Sequence, residues 1–158
     1  MNRTNKRLCA CIALLVLNLT VIWGNSLLPG YISSSISGFV REKLLFFIPA
    51  VDVEGAVYGG EGLLRKIAHF TEFACLGFLL SWLVRMCNKE IICHLFLPLC
   101  AGVLVAVTDE AIQRFIPGRS CRLFDVGIDT LGVVTGIVII SLLQMKNKKI
   151  NNMEETKQ

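Results

Sequence analysis

The sequence predicts an all-α integral membrane protein, a four-transmembrane-helix bundle with an interfacial helix between helices 1 and 2. Three observations carry that prediction. Ala, Val, Ile, Leu, Met, Phe, Trp, Tyr and Cys make up 54% of the 158 residues. Charged residues make up 18%, against about 25% in soluble domains. The apolar residues also gather into four runs close to the length needed to cross a bilayer. A domain of ~150 residues still exposes about 30% of its unfolded surface, too much for so apolar a chain in water. The composition therefore excludes a soluble enzyme, a disordered chain and a nucleic-acid-binding module.

The first run, Leu8 to about Leu28, carries no charge. The preceding Met1-Asn-Arg-Thr-Asn-Lys-Arg7 has the shape of a signal peptide, but no small-x-small cleavage site follows. The run is read as a retained first helix. A connection of about 38 residues comes next, in which Ile32, Ile36, Phe39, Val40, Leu44 and Phe47 recur at helical spacing until Pro49. That pattern predicts the short helix lying in the interface. Gly55, Gly59, Gly60 and Gly62 then form a flexible approach to the second span.

The second span is Ile67 to Val84, apolar except for His69 and Glu72. The third, Ile91 to Thr108, is uncharged and holds His94. The fourth runs from Phe124 to about Met145, with Asp125 and Asp129 near its start and 16 uncharged residues after them. Residues 146–158 form a polar tail. No segment outside the spans is large enough for its own core, so residues 1–158 are read as a single membrane domain.

Orientation follows from basic residues beside the spans. Tight basic clusters abut the first span at Arg3, Lys6 and Arg7, and the fourth at Lys146, Lys148 and Lys149. This predicts both termini inside, against the anionic inner leaflet. The net charge of +4 then requires no nucleic acid. Six of the seven cysteines fall within spans or at their inner ends, and Cys121 in an outer loop has no intrachain partner there. They are read as small apolar residues.

Alternating direction brings the start of the second helix, the end of the third and the start of the fourth to one side. Arg65, Lys66, His69 and Glu72 therefore meet Asp109, Glu110, Gln113 and Arg114, and both groups meet Arg119, Arg122, Asp125 and Asp129. Lys66, His69 and Glu72 share a helical face, Asp109 and Gln113 are four apart, and Asp125, Asp129, Gly132 and Gly136 form one stripe. Gly132-x-x-x-Gly136 permits close helix approach, within the bundle or between copies. Ionisable groups at membrane depth cost at least a few kcal/mol each and mark function by default. The rival reading is interhelical ion pairs that only hold the bundle together. Arg65, Lys66 and Arg122 read equally as snorkelling anchors, and Gln113 as interhelical glue.

Arginine and lysine suit a phosphate or pyrophosphate head group; aspartate and glutamate suit acid/base chemistry or a divalent ion. Arg65, Lys66, Gln113, Arg119, Asp125 and Asp129 are the candidate ligand-binding residues, and His69, Glu72, Asp109 and Glu110 the candidate catalytic ones. No metal-binding motif is present and no metal ligand is assigned. No cofactor is evident beyond a divalent cation held by the carboxylates. Membrane lipids or a lipid-linked cell-wall precursor are the expected partners, and the oligomeric state is left open.

The residues Arg65-Lys-Ile-Ala-His69-Phe-Thr-Glu72-Phe73, Asp109-Glu110-Ala-Ile-Gln113-Arg-Phe-Ile-Pro117-Gly118-Arg119 and Asp125-x-x-x-Asp129-x-x-Gly132-x-x-x-Gly136 resemble the VanZ-like family. Asn25-Ser26-Leu-Leu-Pro29 is a weaker echo, and the likeness spans about residues 8 to 145. Phe73 and Asp129 depart from it, since Tyr and Asn are common at those positions. The resemblance implies a multi-pass protein of the bacterial plasma membrane. Some relatives lower susceptibility to lipoglycopeptides such as teicoplanin. The expected function is lowered susceptibility to teicoplanin-type glycopeptides, through an outer-face cleft that binds a lipid head group. The alternative is an intramembrane enzyme acting on a phosphate-bearing envelope lipid. A transporter is disfavoured, because the inner helix ends lack matching polar groups and no repeated halves are seen.

Overall fold

The structure is a computed structural model that describes residues 2–33, 35, 39, 60–87, 90, 92–119 and 122–155. Four long helices make it up: α1 (Arg3–Leu27), α2 (Gly60–Cys87), α3 (Cys93–Gln113) and α4 (Leu123–Glu155). Each contains a stretch long and apolar enough to cross a membrane. The chain is therefore a multi-pass helical membrane protein. Apolar side chains such as Leu17, Leu104, Leu131 and Leu142 are more than half exposed around the bundle. In water they would be an aggregation liability; in a bilayer they are the lipid contact.

Helix α1 holds no proline, and its single glycine, Gly24, comes late. It ends at Leu28, whose extended backbone (φ −72°, ψ 130°) follows from the steric demand of Pro29 on its predecessor. Its buried residues Cys11, Leu15, Ile22 and Ser26 recur at steps of four, seven and four, one face of a helix. Helix α2 lies at the centre and packs against α1, α3 and α4.

The α2–α4 seam is made by missing side chains. A Cβ at Gly132 would strike the Phe70 carbonyl, and one at Gly136 the Ala74 carbonyl. A Cβ at Gly77 would strike the Val133 backbone. Fully buried Val133 also fills the space beside Gly102 of α3. The glycine pair at Gly132 and Gly136 thus packs within the bundle, against α2.

Several predicted bounds move. Gly60 and Gly62 lie in the first turns of α2, not in a flexible approach. Helix α3 runs past Thr108 to Gln113, and α4 past Met145 to Glu155. An apolar run ends at its first charge, whereas a helical backbone continues through Asp, Glu, Gln and Lys until a breaker stops it. Gly30, Tyr31, Ile32 and Ser33 are helical. Apart from 35 and 39, the rest of the predicted interfacial helix, together with Gly55, Gly59 and Cys121, lies outside the described residues.

Pro98 sits inside α3 and lacks the N–H that would bond His94 O. Ser81 Oγ of α2 donates to that carbonyl instead, at 3.3 Å. Ser81→Ala is therefore expected to lower bundle stability by about 1 kcal/mol, the scale of an interhelical hydrogen bond in a membrane. Reversible unfolding in micelles measures it. A loss no greater than that of an exposed Thr135→Ala would refute this reading.

Candidate functional site

The polar residues predicted to converge meet at the end of the bundle where α1 and α3 finish and α2 and α4 begin. Asp109, on the buried side of α3, is 0% exposed. Its Oδ1 accepts from Ser26 Oγ at 2.5 Å, and its Oδ2 from Gln113 Nε2 at 2.8 Å. Gln113 Nε2 also donates to Ser26 Oγ at 3.2 Å. One helical turn separates Asp109 from Gln113, so both reach the same serine of α1.

His69 enters from α2. Its Nδ1 stands 3.8 Å from Asp109 Oδ2 and 3.8 Å from Asp129 Oδ1 of α4. Both separations exceed hydrogen-bond length. Glu72, one turn deeper, turns toward α1, where Asn25 Nδ2 donates to its Oε1 at 2.5 Å. Its other oxygen is buried and makes no hydrogen bond among the described residues. Asn18 Nδ2 donates to the Glu72 backbone carbonyl at 3.3 Å. The face predicted for Lys66, His69 and Glu72 therefore splits: His69 looks to α3 and α4, Glu72 to α1.

Glu110 accepts the backbone N–H of Arg122, which ties α3 to the start of α4. Lys66 Nζ lies 4.0 Å from Asp125 Oδ1 and 4.7 Å from the centre of the Phe124 ring. Arg114 and Arg122 are exposed, and Arg65 is half-buried beside the cluster.

Arg119 closes the end of α1. Its Nε donates to Leu28 O at 3.2 Å and its Nη2 to Asn25 O at 2.6 Å, carbonyls at the finished end of the helix, of which Asn25 O also accepts the Leu28 N–H at 3.3 Å. The approach depends on Pro117-Gly118. Gly118 has a left-handed backbone (φ 76°), and its carbonyl leaves no room for a Cβ on Gly30. Gly30 N donates to Pro117 O at 3.0 Å. In this connection, outside the spans, burial and then the Arg65 charge lower the Arg119 pKa, while Asp109 and Glu110 oppose the shift.

The expected cleft is nearly closed. A cavity of about 10 Å³ lies among Arg65, Lys66, His69, Glu110, Asp125 and Asp129. That is room for one water-sized body.

Asn25, Ser26 and Asn18 were not singled out as site residues, yet they supply α1's whole share of the cluster. They are uncharged, so a scan for ionisable groups passes over them. At the opposite end of the bundle the same scan finds Arg85 but passes over its neutral partners. There Arg85 donates to Ser81 Oγ (3.2 Å), Ser141 Oγ (2.7 Å) and Gln144 Oε1 (2.9 Å), beside a cavity of about 500 Å³. The expectation that those helix ends lack polar groups is corrected accordingly.

Four membrane-crossing helices that bury a glutamine and several carboxylates around a partly buried histidine at one end define a multi-pass membrane protein with an intramembrane polar cluster. The family model VanZ/LLP1 matches residues 8–144. The chain belongs to that family. No curated protein and no solved structure matches it.

Proposed function

We propose that this VanZ/LLP1-family protein sits in the bacterial plasma membrane with both termini inside. Its polar cluster then faces outward and engages a phosphate-bearing lipid or lipid-linked head group, lowering susceptibility to teicoplanin-type glycopeptides. The observation that carries the reading is Arg119. Its Nη1 is buried and meets no hydrogen-bond acceptor among the described residues. Arg65 lies close enough for its charge to act on Arg119, and Arg65 and Lys66 both line the small cavity at this end of the bundle. Gathered cations with a spare guanidinium donor suit a phosphate. The cavity of about 10 Å³ admits no whole head group, so the phosphate engages at the rim. The basic stubs at both ends support the orientation.

A second reading, an enzyme acting on such a lipid, draws on His69 between two acidic side chains. Two measurements separate them. Wild type, expressed in a susceptible host, is expected to raise the teicoplanin inhibitory concentration several-fold over empty vector. Replacing Arg65 and Lys66 together by Gln should return it to the vector level. Equal susceptibility of wild type and vector would remove the resistance reading. Incubation with bacterial lipid extract, with and without Mg²⁺, followed by mass spectrometry, is expected to show retained but unchanged lipid. A converted lipid would establish the enzyme instead. A reporter fused at Gln158 that is active outside would reverse the orientation.

A further inference from the structure

Buried polar atoms in a packed interior are almost always hydrogen-bonded, and the centre of this cluster is an exception. Asp129 is 2% exposed and makes no hydrogen bond among the described residues. Its nearest polar neighbour is His69 Nδ1, and Asp109 Oδ2 stands at the same 3.8 Å from that nitrogen. One possible ligand atom from each of His69, Asp109 and Asp129 lies within 4.8 Å of the other two. His69 and Asp129 also line the cavity of about 10 Å³, space for one small body. Three donors therefore converge on a point without bonding one another.

We propose that His69 Nδ1, Asp109 Oδ2 and Asp129 Oδ1 bind a divalent transition-metal cation, of the Zn²⁺ or Mn²⁺ kind. Bonds of about 2.1 Å at tetrahedral angles put ligand atoms about 3.4 Å apart. The two separations from His69 Nδ1, 3.8 Å each, exceed this by a few tenths of an ångström, and the two carboxylates, within 4.8 Å of each other, close further as a cation draws them in. One imidazole with two carboxylates suits Zn²⁺ or Mn²⁺ better than Mg²⁺, which demands near-ideal octahedral oxygens and keeps its waters.

The supporting shell is in place. Asp109 is oriented by Gln113 on the proposed ligand oxygen and by Ser26 on the other, the arrangement that fixes ligand carboxylates in metal sites. The cation also answers an electrostatic need. Asp109 and Asp129 are buried together, and two carboxylates close together in a low-dielectric interior are stabilised by positive charge between them. Lys66 is directed at Asp125, and Arg119 spends two of its donor groups on α1 carbonyls. With three protein ligands, the site keeps a position open to water or a further oxygen ligand, as open metal sites do. Metal binding as such does not depend on the head-group reading.

The test uses full-length protein in detergent, purified through a tag without histidine, stripped with chelator and dialysed against Zn²⁺, Mn²⁺ or Mg²⁺ alone. Wild type is expected to retain one equivalent of Zn²⁺ or Mn²⁺ and to prefer either over Mg²⁺. His69→Ala and Asp129→Leu should lose it, His94→Gln should keep it, and Gln113→Leu should weaken it by about 10–100-fold. The metal should raise the melting temperature of wild type by mass action, with no rise for His69→Ala. Because a ligand variant can misfold, X-ray absorption on metal-loaded wild type gives a second readout: a nitrogen/oxygen shell containing one imidazole is expected. Retention equal in wild type and folded His69→Ala, no retention by wild type, or a sulfur-containing shell would each overturn the proposal.

Discussion

Gly136→Leu is expected to prevent the bundle from assembling. The Cβ it adds would overlap the Ala74 carbonyl and crowd the Phe78 amide of α2. These are backbone atoms in the middle of a helix, so no rotamer change relieves the clash. Overpacking a core commonly costs 1–3 kcal/mol when side chains can shift. Here two whole helices must separate, and the loss should exceed about 3 kcal/mol. Separation would also pull Val133 out from between Gly77 and Gly102, so contacts with α3 go with it. Gly24 and Gly127 are the controls, because a Cβ at either meets nothing within 4 Å. Alanine there should be neutral or stabilising by up to about 1 kcal/mol, the helix-propensity gain. Steric-trap or denaturant unfolding in micelles compares the three. A Gly136→Leu variant as stable as Gly127→Ala would disprove the close α2–α4 contact.

The second large effect is expected at Asp109. Asp109→Ala removes the acceptor of both Ser26 Oγ and Gln113 Nε2, and leaves Asp129 as the single carboxylate at His69 Nδ1. Each orphaned buried donor costs about 1–3 kcal/mol, so a loss of about 3–5 kcal/mol is expected. Asp109→Asn keeps one acceptor oxygen and the side-chain shape, and should cost clearly less. Because Ser26, Asp109 and Gln113 form one network, the effects should not add. Ser26→Ala in the Asp109→Ala background should then cost less than in wild type, since only the Gln113 Nε2 bond to Ser26 Oγ is left to lose. Additive losses would mean that the three side chains do not act together.

The convergence of His69, Glu72, Asp109, Glu110, Asp125 and Asp129 at one end was legible because helices joined in alternation must bring those chain positions together. Bilayer length and helical period suffice for that inference. Which groups pair was not legible. His69 and Glu72 share a helical face to within a fraction of a turn, and only the packing of α1 against α2 sends Glu72 to Asn25. Arg119 shows the same limit. As an isolated cation it suits an anionic ligand, but the point where α1 ends, at Pro29, gives it two carbonyls to cap.

Helix ends and neutral partners were the hardest to read. Charge scanning ended the third span at Thr108, although α3 continues to Gln113 because backbone hydrogen bonds are indifferent to side-chain charge. The fourth span, Leu123–Lys146, lies close to its expected bounds, and α4 continues beyond it to Glu155. Charge scanning also passed over Ser26, Asn25 and Ser81, whose importance comes from the atoms they reach.

Composition and periodicity alone point to four membrane-crossing helices and to the gathering of the intramembrane acidic groups at one end, because the bilayer tolerates neither unpaired backbone nor scattered charge. The family match over residues 8–144 agrees with them. Tertiary structure decided the rest: that Gly132 and Gly136 face α2, that Ser26 and Gln113 anchor Asp109, and that His69 stands between two carboxylates without bonding either. Separations of a few tenths of an ångström distinguish a hydrogen bond from a gap that fits a cation. They are set by how closely glycine lets two helices approach, a distance that no one-dimensional pattern contains.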